Sequence, residues 1–236
     1  MTGKRVSARF GAAFGAVPLL MLLAAPALAE GDCDASPADG VNWSECRKRN
    51  LLLNGSELSG ANLAGADFSS SDLRKSQLKS AVFEKAALAR AMLDGSNAAG
   101  ANFEKALGYR TSFVEADLAG ARFAKSEMQR ADFKDAILTG ADFEKSELGR
   151  VMFTGAEING TKFSFSNLAR ADFRGAVFDT PIDFTSAYFY RTRLEGMDLS
   201  KATGIVQWQI DLACGDPQTK LPAGIVAPTT WPCADE

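Results

Sequence analysis

Large apolar side chains recur at every fifth position from Leu53 to Phe178. The series runs through Leu58, Leu63, Phe68, Leu73, Leu78, Phe83, Leu88 and Leu93, shrinks at Ala98 and Gly108, and continues from Phe113 without a gap. Two residues ahead of each stands something small or moderate, as at Ala61, Ala66, Ser71, Ser76 and Ala81. A helix repeats at 3.6 residues and a strand at 2, so this period belongs to neither. A coil that turns a corner every five residues sends all these side chains to one interior. The pattern therefore predicts a solenoid whose core is a column.

A longer period fixes the number of sides. Phe83-Glu84-Lys85, Phe103-Glu104-Lys105, Phe123-Ala124-Lys125 and Phe143-Glu144-Lys145 recur every twenty residues, as do Arg90, Arg110, Arg130, Arg150 and Arg170. Twenty residues make four sides, so each series is a vertical column. From Phe103 to Phe173 the core alternates Phe with a smaller or aliphatic residue every five positions. Two opposite sides then carry stacked Phe, and such towers are held by nearest-neighbour stacking.

The repeated triplet Ala-Asp/Asn-Leu/Phe carries a resemblance. It stands at Ala61-Asn62-Leu63, Ala66-Asp67-Phe68, Ala101-Asn102-Phe103, Ala116-Asp117-Leu118, Ala131-Asp132-Phe133, Ala141-Asp142-Phe143 and Ala171-Asp172-Phe173. In one register over this length, it resembles the pentapeptide repeat family. The resemblance implies an all-β fold, a right-handed quadrilateral β-helix with four pentapeptides per coil. Gly55, Gly60, Gly65, Gly95, Gly100, Gly120, Gly140, Gly155, Gly160 and Gly175 lie two residues after a central position, where a type II corner needs φ > 0. Where Lys or Arg holds that place, a corner with φ < 0 is expected, giving two corner types.

The ends differ in composition. Lys4, Arg5 and Arg9, then the apolar run Phe10 to Leu23, then Ala27-Leu28-Ala29 read as a secretory signal peptide (1–29) cut between Ala29 and Glu30. The product is expected to be periplasmic or secreted. Its loss takes three basic residues and no acid, so the formal charge moves from −3 to −6. The remainder reads as an N-terminal cap (30–50), the repeat solenoid (51–203), and a C-terminal helical cap with an irregular tail (204–236). Four cysteines flank the repeats: Cys33, Cys46, Cys214 and Cys233. An even number in an exported chain reads as disulfides. At about 4.8 Å per coil the tower is far longer than a disulfide reaches, so Cys33–Cys46 and Cys214–Cys233 are the expected pairs. Caps are required because both ends of a solenoid expose apolar side chains and strand edges. Trp43 is placed over one end; at the other, Gly204 to Ala213 carries Ile205, Trp208 and Leu212 on one helical face. The register slips by one residue near Pro181, predicting a bulge at Asp179 to Ile182 that shifts the Arg column to Arg191.

Chemistry enters last. The chain has no His, and Asp67, Asp117, Asp132, Asp142 and Asp172 recur with the repeat rather than as an acid–base pair. No enzyme, cofactor or metal site is expected. The column Arg90, Arg110, Arg130, Arg150, Arg170 and Arg191 has two readings. One is a strip for an extended polyanion or acidic partner; the other is a solvated face neutralised by Glu127, Glu147 and the column Glu84, Glu104, Glu144. Phe165, Tyr188 and Tyr190 form either a docking patch or the seat of the C-terminal tail. At Ala98 and Gly108, Leu107 or Tyr109 fills the space, or the coil creases. The function expected is a non-catalytic exported scaffold or binding module with an unidentified protein or polyanionic envelope partner. The family resemblance also implies an alternative, a DNA-mimicking protein that engages topoisomerases. The leader and the basic columns speak against it.

Overall fold

The computed structural model describes residues 1–3 and 31–233. The leader segment and its junction at Ala29–Glu30 lie outside the described residues. From Gly40 onward the chain winds as a coil with four corners per twenty residues, and successive coils pair in parallel through single-residue bridges. Four vertical ladders result. The first side runs from Asn42 through Asn62, Val82 and Asn102 to Thr203; the second from Arg47 through Leu107, Glu127, Glu147 and Asn167 to Tyr188. The third runs from Leu52 to Cys214. The fourth runs from Glu57 to Val177 and resumes at Asp198. The sides are too short to count as extended strands, because a corner follows every third residue.

One pentapeptide shows how each backbone group is satisfied. Leu53 donates its N–H to Asp72 O (2.7 Å) and Gly55 to Arg74 O (2.8 Å) in the next coil, while Ser56 closes the corner onto Leu53 O (3.1 Å). The next outward residue pairs backward, as Asn62 N–H does to Val41 O (2.9 Å). Only the first corner residue lacks a backbone acceptor, and the Asp or Asn of the triplet supplies one. Asp142 Oδ1 accepts from Glu144 N–H (2.8 Å), Asp67 from Ser69 (3.0 Å) and Asp172 from Arg174 (3.0 Å). Local side-chain bonding of this kind is what Asp and Asn do best at turns. The Asp carboxylates are thus structural. At Asp72 the guanidinium of Arg74 (2.6 Å) also holds the carboxyl below its usual range, against its burial.

The core is the expected column. Phe83, Phe103, Phe123 and Phe143 stack on the first side at centroid separations of 4.8, 4.7 and 4.6 Å. Phe113, Phe133, Phe153 and Phe173 stack on the third, and rings of the two columns meet edge to face. Several inward Ser and Thr residues bond to a carbonyl of the preceding coil, as Thr111 Oγ1 does to Leu88 O and Thr161 Oγ1 to Leu138 O, both 2.8 Å. The space at Gly108 is filled from the next coil. A Cβ there would meet Met128 Sδ at 2.2 Å. Leu107 and Tyr109 are exposed and fill nothing.

Corners overturn one expectation. Every fifth residue from Gly40 to Gly175 has positive φ, including Arg90, Arg110, Arg130, Arg150 and Arg170 at 57–60° and, after the slip, Arg191 at 54°. There is one corner type, not two. The reason is the ladder: the N–H of the second corner residue must point at the next coil, as Arg90 does to Tyr109 O (3.0 Å). A φ < 0 corner would turn that donor away, so stacking imposes the left-handed conformation whatever the side chain.

The ends also differ in detail from the sequence reading. The segment 30–50, read as a cap, already contains rungs at Asn42 and Arg47. Trp43 and Lys48 occupy inward positions, with the Lys48 ammonium 3.8 Å from the Trp43 ring and donating to Cys33 O (2.6 Å). Burial pushes that ammonium down, while Asp34 and Asp32 oppose the shift. The disulfides are Cys33–Cys46 and Cys214–Cys233, with Cα atoms 5.4 Å apart in each. At the other end a short helix, α1 (Gln207–Leu212), replaces the second side of the last coil. Its buried face is Gln209 and Ile210, while Trp208 (48% exposed) and Leu212 point outward. A polar residue faces the coil because the coil end presents backbone carbonyls. Gln209 Nε2 donates to Phe184 O and Ala187 O, both at 2.9 Å.

The slip at Pro181 is visible in the register. Rungs lie 20 residues apart up to Glu157–Val177, but 21 apart at Lys162–Asp183, Asn167–Tyr188 and Asp172–Arg193. The extra residue sits on the fourth side, where no rung joins Val177 to Asp198 among the described residues.

Candidate functional site

The second side is bordered by two basic corner columns. The corner leading into it carries Lys85, Lys105, Lys125 and Lys145, and the corner leaving it carries Arg90 to Arg191. Three of the four lysines, Lys85, Lys105 and Lys145, lie near a glutamate. Glu84 Oε1 lies 3.7 Å from Lys85 and 3.3 Å from Lys105, and Glu144 lies 2.5 Å from Lys145. The hydrogen bond from Lys145 holds the Glu144 carboxyl below its usual range. Glu104 pairs instead with Arg122, at 3.0 Å.

The arginine column is not neutralised in the expected way. Arg90, Arg110, Arg130 and Arg150 make no ion pair within 4.0 Å among the described residues. Glu147, expected to serve Arg150, accepts from Asn167 Nδ2 of its own ladder (2.8 Å). An outward residue on a ladder projects from the flat of the side, whereas the arginines project from the corner. Arg110 sits 5.3 Å over the Tyr109 ring. Phenylalanines one coil apart are nearly parallel, with ring planes 5–17° apart.

Phe165 (55% exposed), Tyr188 (43%) and Tyr190 (42%) lie at the C-terminal end of this same side. Tyr188 and Tyr190 are nearly parallel, 6.3 Å apart, and Lys145 stands 5.6 Å from the Phe165 ring. The tail does not cover them. It folds under the last coil, where Trp231 rests against Gly215 and donates to Ala213 O (2.8 Å), and Gln207 brackets Val226. Trp208 adds to the exposed aromatics. Sequence reasoning missed it by assigning it to the buried helix face.

A second feature had no counterpart in the sequence reading. The missing rung opens a recess of about 500 Å³ on the fourth side, lined by Glu157, Asn159, Val177, Phe178, Asp179, Met197 and Asp198. Asp198 is held far below the usual carboxylate range by Lys220 (2.8 Å) and Ser200. Among the described residues no group of three or more His, Cys, Asp or Glu is placed to hold a metal ion.

Comparisons agree with this architecture. Models of the pentapeptide repeats match residues 49–86 and 71–107, and a model of the pentapeptide repeat region matches 109–203. No curated protein matches the chain. Among solved structures it is similar to a trypsin-treated variant of QnrB1, a plasmid-mediated fluoroquinolone resistance protein, at 20% identity and a TM-score of 0.45, covering 80% of this chain and 87% of that one. HetL, involved in heterocyst differentiation regulation in the cyanobacterium Nostoc, matches at 20% identity and 0.31, covering 80% and 86%. A protein of the Arabidopsis thaliana thylakoid lumen matches at 26% and 0.23, covering 56% and 71%. With the motif in register, the twenty-residue rungs and the matching family models, the chain belongs to the pentapeptide repeat family.

Proposed function

We propose that this protein is an exported, non-catalytic binding module that offers its arginine column to an anionic partner in the cell envelope. One observation carries the reading: Arg90, Arg110, Arg130 and Arg150 recur once per coil at one corner without ion pairs among the described residues, while Lys85, Lys105 and Lys145 of the adjacent column each lie near a glutamate. Stacked guanidinium groups about one coil apart repel each other, by about 1 kcal/mol per neighbouring pair in water. A partner bearing negative charge removes that repulsion. Two disulfides, one at each end, suit an oxidising compartment. A DNA-like surface would need acidic columns where this tower carries basic ones.

The test is charge reversal at Arg110, Arg130 and Arg150. Glu already occupies the same corner conformation at Glu45 and Glu115, with φ of 60° and 57°, so the fold tolerates the change. In-cell cross-linking should capture an envelope component with the parent protein and lose it with the triple Arg→Glu variant, at unchanged melting temperature. Capture that ignores the reversal rejects the reading.

A further inference from the structure

We propose that the partner is a linear anionic polysaccharide, with one carboxylate or sulfate per sugar, lying along the arginine corner; this rests on the reading just given. The corner has two residues at each level. The second is the arginine. The first runs Tyr109, Gln129, Gly149, Ala169 and Tyr190 down the tower. A ring thus stands at each end, and the positions between are Gln, Gly and Ala. A Cβ on Gly149 would meet nothing closer than 3.8 Å, so the middle of this line is open. The result is a shallow track closed by aromatic residues and edged by guanidinium groups.

Spacing selects the ligand. Coils rise by about 4.8 Å, so charges recur along the track at that interval. A pyranose residue in an extended chain advances by close to one such rise, and the length of the arginine side chain absorbs any alternation between its faces. An acidic β-strand offers carboxylates about 3.3 Å apart, or about 6.6 Å apart on one face, and neither interval keeps step with the coils. Tyr109 and Tyr190 supply the apolar planes on which sugar faces stack. Arg110 lies over one face of Tyr109, 5.3 Å from its centre, and leaves the opposite face for a sugar. Phe165 and Tyr188 widen the platform at the C-terminal end.

The probe is a set of short polygalacturonate oligomers, titrated into the purified protein and followed by calorimetry. Saturable one-to-one binding is expected, falling steeply with salt. The fully methyl-esterified oligomer should not bind. Arg110→Gln with Arg130→Gln should weaken binding by about tenfold or more. Tyr190→Ala should weaken it severalfold while leaving the salt dependence unchanged, which a purely electrostatic contact would not do. Equal binding of the ester, or equal or tighter binding of single-stranded DNA or poly-aspartate, overturns the inference. So does absence of saturation. If polygalacturonate fails while the triple Arg→Glu variant still loses its cross-linked partner, the polysaccharide is wrong and the broader binding reading stands.

Discussion

At the scale of single residues, the corner governs what the repeat tolerates. Among the described residues, nineteen that are not glycine hold left-handed backbone, with φ between 54° and 60°. Each such residue costs roughly 1–3 kcal/mol, and it persists because the ladder bonds over-determine the turn. Branching at Cβ, which an arginine lacks, adds to that strain. Arg130→Val should therefore lower stability by about 1–3 kcal/mol, while Arg130→Asn should be neutral or mildly stabilising. Urea midpoints for the two variants measure this; equal midpoints would show that the corner carries no such strain. The sequence showed where the corners fall. It did not show that Lys and Arg must share the glycine conformation, because intrinsic preference points the other way and only the next coil overrides it.

The element here is the coil, and its energy lies in contact with the coils above and below. Phe133 stacks on Phe113 (4.8 Å) and Phe153 (5.4 Å) and meets Phe123 and Phe143 edge to face. Phe133→Ala should cost about 3–5 kcal/mol, since neighbours fixed by their own ladders cannot collapse into the space. A loss below about 1 kcal/mol would mean that the column relaxes. Size exceptions follow the same logic. Gly108 is small because Met128 from the following coil already occupies its place. A linear sequence hides this pairing, although twenty-residue alignment sets the two in one column. Helix α1 obeys a different constraint: what it must cover is backbone, so Gln209 and not Trp208 faces the coil.

For the whole molecule, the slip divides the tower. Above it all four sides pair; across it the fourth side lacks the Val177–Asp198 rung, leaving three. The final coils, closed by Cys214–Cys233, hang on fewer bonds than the coils above them. In hydrogen exchange, the Asp198 amide should exchange far sooner than that of Arg193, which donates to Ala171 O at 2.8 Å. Equal protection of the two amides would show the break to be closed in solution. The break also makes the recess beside Phe178, so a single added residue reshapes a side that is otherwise flat.

Much of this was legible beforehand because a solenoid is nearly one-dimensional. The five-residue and twenty-residue periods, read from Leu53 to Phe178, determine the inward column, the four sides, the paired Phe stacks and the level of every arginine in the column. Near neighbours in space are fixed offsets in sequence, so periodicity alone determines them. What only the tertiary structure decided lies where one coil meets another or where the repeat stops. It set the common left-handed corner, the Met128 fill, the buried face of α1 and the course of the tail. It also left Arg90 to Arg150 without ion pairs among the described residues while Lys85, Lys105 and Lys145 lie near glutamates. Those outcomes turn on the direction of a backbone donor or the reach of a side chain, and neither is a property of one residue or its position in the period.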